Sequence, residues 1–142
     1  MPLTESNISA DFLAWKHLLR VENRNGRDYI YDNVRKKYLL LQPEEFVRQL
    51  VVIWLIHHQK VNRNRIQVEK EVNINGLKRR FDIIVYDRST QPFALIECKA
   101  PDVVINQGVF DQISVYNKVM HAPFLVVTNG VLTFLASVQE EC

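Results

Sequence analysis

The spacing of hydrophobic and polar positions predicts one prominent helix near the middle of the chain. It begins at Pro43, because proline suits the first position of a helix and acidic residues follow it in the first turn. Apolar residues then recur at helical spacing, which predicts a helix buried against a sheet on much of its circumference. Its apolar face consists of Phe46, Leu50, Ile53 and Trp54, widened by Val47, Val51 and Leu55.

Strand patterns lie on both sides of this helix. The strongest hairpin signal is Asn75-Gly76, since Asn-Gly suits the tight turns that join antiparallel strands. A second turn signal lies at 23–26, and Ser9 could cap a short helix that ends near Trp15. The predicted strands are 18–21, 28–31, 37–41, 65–72, 77–87, 92–99, 123–127 and 131–135, with a second helix at 106–120.

This order of elements predicts an α/β fold in which helices flank a mixed central sheet. Neither repeats nor a linker-like stretch interrupt the chain, so we expect a single domain over residues 1–142. Residues 1–28 are an N-terminal extension whose structure the pattern leaves uncertain.

Composition excludes several classes of protein. The 142 residues include only four glycines, none followed by Lys-Ser or Lys-Thr, so a Walker A loop is absent, as are G-x-G-x-x-G and G-x-S-x-G motifs. Two cysteines and four histidines form no disulfide framework or zinc-ligand spacing. The longest apolar run, 50–56, is far shorter than the roughly 20 residues of a membrane helix. Without a secretory signal at the N-terminus, we expect a cytoplasmic protein that does not bind membranes.

Charge is unevenly distributed although the net charge is only +2. Residues 60–80 contain seven basic and two acidic residues, whereas 81–142 contain three basic and seven acidic ones. This arrangement suits a polyanionic partner brought to a carboxylate-bearing site, and an ordinary solvated surface is the alternative. The candidate DNA-binding clusters are Arg35, Lys36 and Lys37, and Lys78, Arg79 and Arg80.

Three charged residues interrupt apolar strands. Asp82 lies within the strand F-D-I-I-V-Y, and Glu97 and Lys99 end the strand F-A-L-I-E-C-K. Burying a carboxylate is costly unless a cation or hydrogen bonds compensate. Strand alternation places Glu97 and Lys99 on one face and Cys98 on the other. If the two strands are hairpin neighbours, Asp82 can lie close to Glu97.

Two carboxylates and a lysine that converge suit metal-assisted hydrolysis of a phosphodiester. Carboxylate oxygens are hard ligands that bind Mg²⁺ or Mn²⁺, and a bound ion polarises the phosphoryl group and lowers the pKa of a bound water. A lysine beside them can orient that water or help to deprotonate it. The alternative is an ion pair of Lys99 with Asp82 or Glu97, tolerated at the edge of a sheet.

This constellation resembles the PD-(D/E)XK nuclease signature, and more narrowly the N-terminal domain of type I restriction enzyme R subunits. The resembling segments are YIYDNVRKKYLLLQPEEFVRQL (29–50), GLKRRFDIIVYDRSTQPFALIECKAP (76–101), and FDQISVYN with PFLVVTNG (110–130). They imply a restriction-endonuclease-like fold. Phe81 stands where the strict motif has proline, a departure that leaves the resemblance intact.

The resemblance also implies roles for individual residues. It makes Asp82 and Glu97 metal ligands, the Cys98 backbone carbonyl a further ligand, and Lys99 the catalytic lysine. Glu45 matches a helix glutamate that these nucleases often direct at the metal, although a first-turn glutamate also simply favours the helix dipole. Gln112 and Tyr116 match a Q-x-x-x-Y element near the scissile phosphate, and at i and i+4 they share a helix face.

The expected activity is therefore that of a Mg²⁺- or Mn²⁺-dependent DNA endonuclease. R subunits carry a translocase after this domain, and this sequence has none, so ATP-driven cleavage is not carried over; the chain is a stand-alone relative or a fragment. DNA and restriction-modification subunits are the expected partners, and the oligomeric state stays open. The alternative is a nuclease fold that acts as a non-catalytic DNA-binding or interaction module.

Overall fold

A computed structural model describes residues 3–8 and 11–138 of the chain. Helix α1 spans Pro43–His57 and helix α2 spans Gln107–Met120. Short 3₁₀ helices cover Phe12–Leu18 and Arg63–Arg65. The strands are β1 (Leu3–Ile8), β2 (Val21–Arg24), β3 (Arg27–Asp32), β4 (Lys37–Leu40), β5 (Ile66–Ile74), β6 (Leu77–Tyr86), β7 (Pro92–Cys98), β8 (Phe124–Thr128) and β9 (Thr133–Val138).

Within the described residues the strands form a large and a small sheet. The large sheet has the order β1-β9-β8-β7-β6-β5, and the small sheet has the order β2-β3-β4. β7 and β8 are parallel and joined through α2, whereas the other neighbouring strands are antiparallel. The predicted α/β architecture, a mixed central sheet flanked by helices, is confirmed.

The two helices cover opposite faces of the large sheet. α1 packs in an apolar cluster with Ile83 and Ile96, and α2 packs in a second cluster with Ile84 and Leu95. Adjacent residues of one strand thus enter different clusters, as strand alternation requires. α1 is buried around most of its circumference, which confirms the prediction from its apolar positions. None of the helices in the described ranges combines the length and the apolar character needed to span a bilayer.

Several element boundaries differ from those predicted. Asp11, not Ser9, caps the first helical turn by accepting a hydrogen bond from the Ala14 amide; Ser9 itself lies outside the described residues. That 3₁₀ helix extends through Leu18, so β2 begins at Val21 rather than at residue 18. β9 begins at Thr133 because the Asn129 side chain binds two following amides and lengthens the turn. β1 was not predicted, because its sequence LTESNI is mostly polar.

Candidate active site

The site is built where β6 and β7 lie side by side. Their antiparallel register pairs Ile83 with Ile96, and one further step along it brings Asp82 opposite Glu97. The Cys98 amide donates a hydrogen bond to Asp82 Oδ2 at 2.8 Å. The two strands are therefore neighbours, and they bring both carboxylates together, as the sequence suggested they could.

Glu97 in β7 and Lys99, which directly follows this strand, lie on the side of the sheet that faces α2. Lys99 Nζ lies 3.9 Å from Glu97 Oε1, a loose ion pair in which both side chains are partly exposed. Cys98 is fully buried in the cluster under α1, on the opposite face. Burial raises the pKa of the Cys98 thiol, so this group is a packed core residue and not a reactive thiolate.

The positive charge near Glu97 does not offset the burial of this carboxyl beside Asp82. Burial, followed by the charge of Asp82 and a hydrogen bond with it, raises the pKa of Glu97 from 4.5 to about 8. Lys99 acts in the opposite direction but does not compensate. Two close carboxylates that cannot both ionise favour a proton or a cation between them. Hard oxygen donors in this state fit a divalent ion such as Mg²⁺ or Mn²⁺.

Asp82 and Glu97 are the two acidic side chains that the register of β6 with β7 brings together. Within residues 11–138, no group of three or more His, Cys, Asp or Glu side chains is arranged to hold a metal ion. A metal ligand set here would consist of Asp82 and Glu97 with main-chain oxygen or water completing the coordination.

The helix glutamate that influences this pair is Glu44. Burial and the charge of Asp82 raise the pKa of Glu44. The negative charge of Glu44 in turn contributes to the raised pKa of Glu97. Glu45, which the resemblance implies as a ligand, instead binds Arg48 Nη1 at 2.6 Å and Gln49 Nε2 at 3.1 Å. The structure thus links Glu45 to Asp82 through Arg48. The sequence could not distinguish these adjacent glutamates, because the rotation of α1 depends on its packing.

Arg48 is a functional candidate that sequence reasoning missed. Its buried guanidinium lies 3.1 Å from Asp82 Oδ1 and 3.2 Å from Glu69 Oε1, in addition to the contact with Glu45. Glu44 lies farther away, at 3.8 Å. The available signal was a lone arginine within the largely apolar part of α1, one turn after two glutamates. A buried charge of this kind needs partners, and here it has several.

A backbone distortion brings Asp82 and Glu69 to the side of α1. Glu69 has a φ of 50°, and the pairing of β5 with β6 omits the position where Glu69 and Asp82 lie opposite each other. Val68 packs under α1, whereas Val72 packs under α2, although an undistorted strand would place both on one face. A non-glycine residue in this conformation costs about 1–2 kcal/mol, and the same conformation allows Glu69 to form ion pairs with Arg35 and Arg48.

Arg35 extends these contacts into a partly buried ion-pair network. Its Nε lies 2.6 Å from Oδ2 of the fully buried Asp32, and its Nη1 lies 3.1 Å from Glu69 Oε2. Arg35 was predicted to bind DNA together with Lys36 and Lys37, but its guanidinium is already engaged by carboxylates. Lys36 and Lys37 are exposed. The network comprises Asp32, Arg35, Glu45, Arg48, Glu69 and Asp82.

A polar cleft of about 260 Å³ is lined by most of the site residues that the sequence predicted. Gln112 Nε2 donates a hydrogen bond to Tyr116 Oη at 3.2 Å, so the two α2 residues act as a unit. The Arg79 guanidinium carbon lies 5.4 Å from the centre of the Tyr116 ring, and the Phe81 ring contacts Tyr116 by its edge. The cleft is lined by Lys78, Arg79, Arg80, Glu97, Lys99, Gln112 and Tyr116, with Val109 and Ile113.

The carboxylate pair gives a testable dependence of stability on pH. Between pH 4.5 and about 8, folded Glu97 keeps a proton that the unfolded chain has lost. The folded state then binds more protons, so the free energy of unfolding falls as pH rises through this range. Glu97→Gln should reduce this fall in urea denaturation with EDTA present, and the exposed control Glu71→Gln should retain it. An unchanged pH dependence in Glu97→Gln would contradict the raised pKa.

The fold and site define an α/β protein with a carboxylate pair and a lysine at the mouth of a basic cleft. Residues 43–142 match the family of the type I restriction enzyme R protein N terminus, and the chain belongs to this family. The match confirms the resemblance to the N-terminal domain of type I restriction enzyme R subunits. It covers α1 and the elements that follow, and the small sheet precedes it. No curated protein matches the chain.

Proposed function

We propose that this protein is a metal-dependent DNA endonuclease of the PD-(D/E)XK type. The observation that carries the proposal is the shared cleft, in which Glu97, Lys99 and the Gln112–Tyr116 pair face three basic side chains. Asp82 lies opposite Glu97 in the register of β6 with β7, and its charge contributes to the raised pKa of Glu97. Family membership supports a role with DNA in restriction and modification, with other subunits of such a system as partners, and a cytoplasmic location.

Asp82 and Glu97 are the side chains that would hold Mg²⁺ or Mn²⁺, with the Cys98 carbonyl as a further ligand. When bound, the ion would polarise the phosphodiester and lower the pKa of the attacking water. Glu44 takes the supporting place that the resemblance gave to Glu45, because its charge acts on Glu97.

The other residues of the cleft act on the DNA and on water. Lys99, close to Glu97, orients the attacking water and offsets the negative charge that develops on the phosphate. The Gln112–Tyr116 pair donates hydrogen bonds to phosphate oxygens near the scissile bond. Lys78, Arg79 and Arg80 bind the DNA backbone by neutralising phosphates, which is independent of base sequence.

Arg48 is a positioning residue in this proposal. It holds Asp82 by Oδ1 while the Cys98 amide holds Oδ2, so the carboxylate is fixed in one orientation beside Glu97. In metal sites, residues around the ligands commonly fix the orientation of a ligating carboxylate through hydrogen bonds of this kind.

The same contacts favour a second candidate function. Both oxygens of Asp82 already have protein partners, which is the state expected if the cleft binds DNA without cleaving it. In that case the ion pairs of Asp82 would only stabilise the fold, and divalent ions would not bind specifically at this position.

Calorimetric titration with Mn²⁺ separates the two functions. If the protein is a metal-dependent nuclease, the wild type should bind Mn²⁺ saturably. Its free energy of unfolding should then rise by about 2.7 kcal/mol when the Mn²⁺ concentration is 100 times the dissociation constant. Glu97→Gln should weaken binding by at least tenfold, because it removes an anionic ligand, while the exposed Glu71→Gln should bind as the wild type does. Absence of saturable binding by the wild type would favour the non-catalytic module.

A further inference from the structure

The small sheet has an inner and an outer face of different character. Ile30 and Asp32 are fully buried on the inner face, which packs against α1. Strand alternation therefore turns Tyr29 and Tyr31 to the outer face. Tyr38 joins them, because it is the cross-strand partner of Tyr31. All three tyrosines are half-buried, so their rings are partly accessible to solvent.

Arginines are interleaved with these tyrosines. The Arg20 guanidinium carbon lies 4.2 Å from the centre of the Tyr31 ring, and that of Arg24 lies 4.7 Å from the centre of the Tyr38 ring. The Tyr31 and Tyr38 rings meet at 5.2 Å. Arg27 is the cross-strand partner of Arg24 and lies on the same face. We call this surface the tyrosine–arginine face: Arg20, Arg24, Arg27, Tyr29, Tyr31 and Tyr38.

The face carries an excess of positive charge. Glu22 pairs with Arg24 at 2.7 Å, but among the described residues no carboxylate lies within ion-pair distance of Arg20 or Arg27. The arginines fix the orientation of the rings by cation–π contacts and leave N–H donors for an anion. Such a surface suits a ligand that combines planar rings with repeated negative charge.

We propose that the tyrosine–arginine face binds single-stranded DNA. Unpaired bases can stack on tyrosine rings and guanidinium planes, and arginines neutralise the intervening phosphates. Duplex DNA offers the same phosphates, but its bases are already stacked on one another and cannot use the rings. The residues of this face are distinct from those of the cleft and precede the part of the chain that matches the family. Binding here requires neither metal nor hydrolysis.

The test measures fluorescence anisotropy of a labelled 20-nucleotide oligothymidylate with the full chain in EDTA. The variant Tyr31→Ile/Tyr38→Ile should bind at least about 5-fold more weakly, because each stacked base contributes 1–3 kcal/mol. The triple variant Arg20→Gln/Arg24→Gln/Arg27→Gln should lower the slope of log affinity against log salt by about 2. Tyr86→Ile and Arg63→Gln are the matched controls and should bind as the wild type does.

Each other outcome overturns the proposal. The proposal is wrong if the wild type does not bind the oligonucleotide at low salt, or if it binds a duplex of the same length equally tightly. It is also wrong if the arginine variant loses affinity for the oligonucleotide and the tyrosine variant does not. A loss confined to the cleft variant Arg79→Gln/Arg80→Gln would assign the binding to the cleft. The arginine substitutions are on the surface, so they remain informative if the tyrosine variant fails to fold; melting curves of all variants check this.

Discussion

Replacement of Lys99 by methionine is expected to lower the rate of DNA cleavage by at least about 100-fold, the range typical for removal of one proton-transfer or charge-stabilising group. Methionine retains much of the length and apolar stem of lysine but removes the ammonium that lies beside Glu97. The matched control is Lys118→Met, because Lys118 is an exposed lysine of α2.

Binding of Mn²⁺ distinguishes a role of Lys99 in the reaction from a role in assembling the site. Loss of the positive charge near Glu97 should leave Mn²⁺ affinity unchanged or higher, since lysine and the ion repel each other. A Lys99→Met protein that cleaves at the wild-type rate would show that Lys99 merely accompanies Glu97. Loss of both cleavage and Mn²⁺ binding in Lys99→Met would show that Lys99 is needed to assemble the site and not only for the reaction.

Replacement of Arg48 by methionine is expected to lower the free energy of unfolding by about 3–5 kcal/mol, as removal of one partner from a buried ion pair does. The variant leaves Glu45, Glu69 and Asp82 without the guanidinium that contacts all three. Urea denaturation at neutral pH measures the loss. Arg63→Met, at an exposed position, should change stability by less than about 0.5 kcal/mol.

Two further results qualify the role of Arg48. Arg48→Lys keeps the charge but not the planar fork of donors, so its stability should lie between those of the wild type and Arg48→Met. The loss in Arg48→Met should also shrink toward acidic pH, where the orphaned carboxylates can take up protons. A variant as stable as the wild type at neutral pH would contradict a structural need for Arg48, because removal of one partner should leave uncompensated carboxylates.

Local sequence patterns were sufficient for the elements that surround the site. Pro43 and the apolar spacing after it defined α1, and Asn75-Gly76, with positive φ at both residues, defined the hairpin of β5 and β6. Period-two alternation was enough to separate Glu97 and Lys99 from Cys98. These features depend on neighbours in the chain, which is why the sequence alone revealed them.

The partly buried ion-pair network depends on contacts between distant segments of the chain, so local sequence patterns do not predict it. Arg48 and Asp82 are 34 residues apart, and so are Arg35 and Glu69. The positive φ of Glu69 is a second example, because no local preference predicts a glutamate in that conformation. In the folded structure this conformation directs the Glu69 side chain toward the guanidinium groups of Arg35 and Arg48 on the side of α1.

Metal-dependent nuclease activity is tested most directly by cleavage of a supercoiled plasmid by the wild-type chain, with Mg²⁺, with Mn²⁺ and with EDTA. We expect nicking or linearisation with either metal ion, none with EDTA, and none by Asp82→Asn at matched concentration. The exposed control Asp102→Asn should cleave as the wild type does. Cleavage that persists in EDTA or in Asp82→Asn, or a pure and folded wild-type protein that leaves the plasmid intact with both ions, would contradict it.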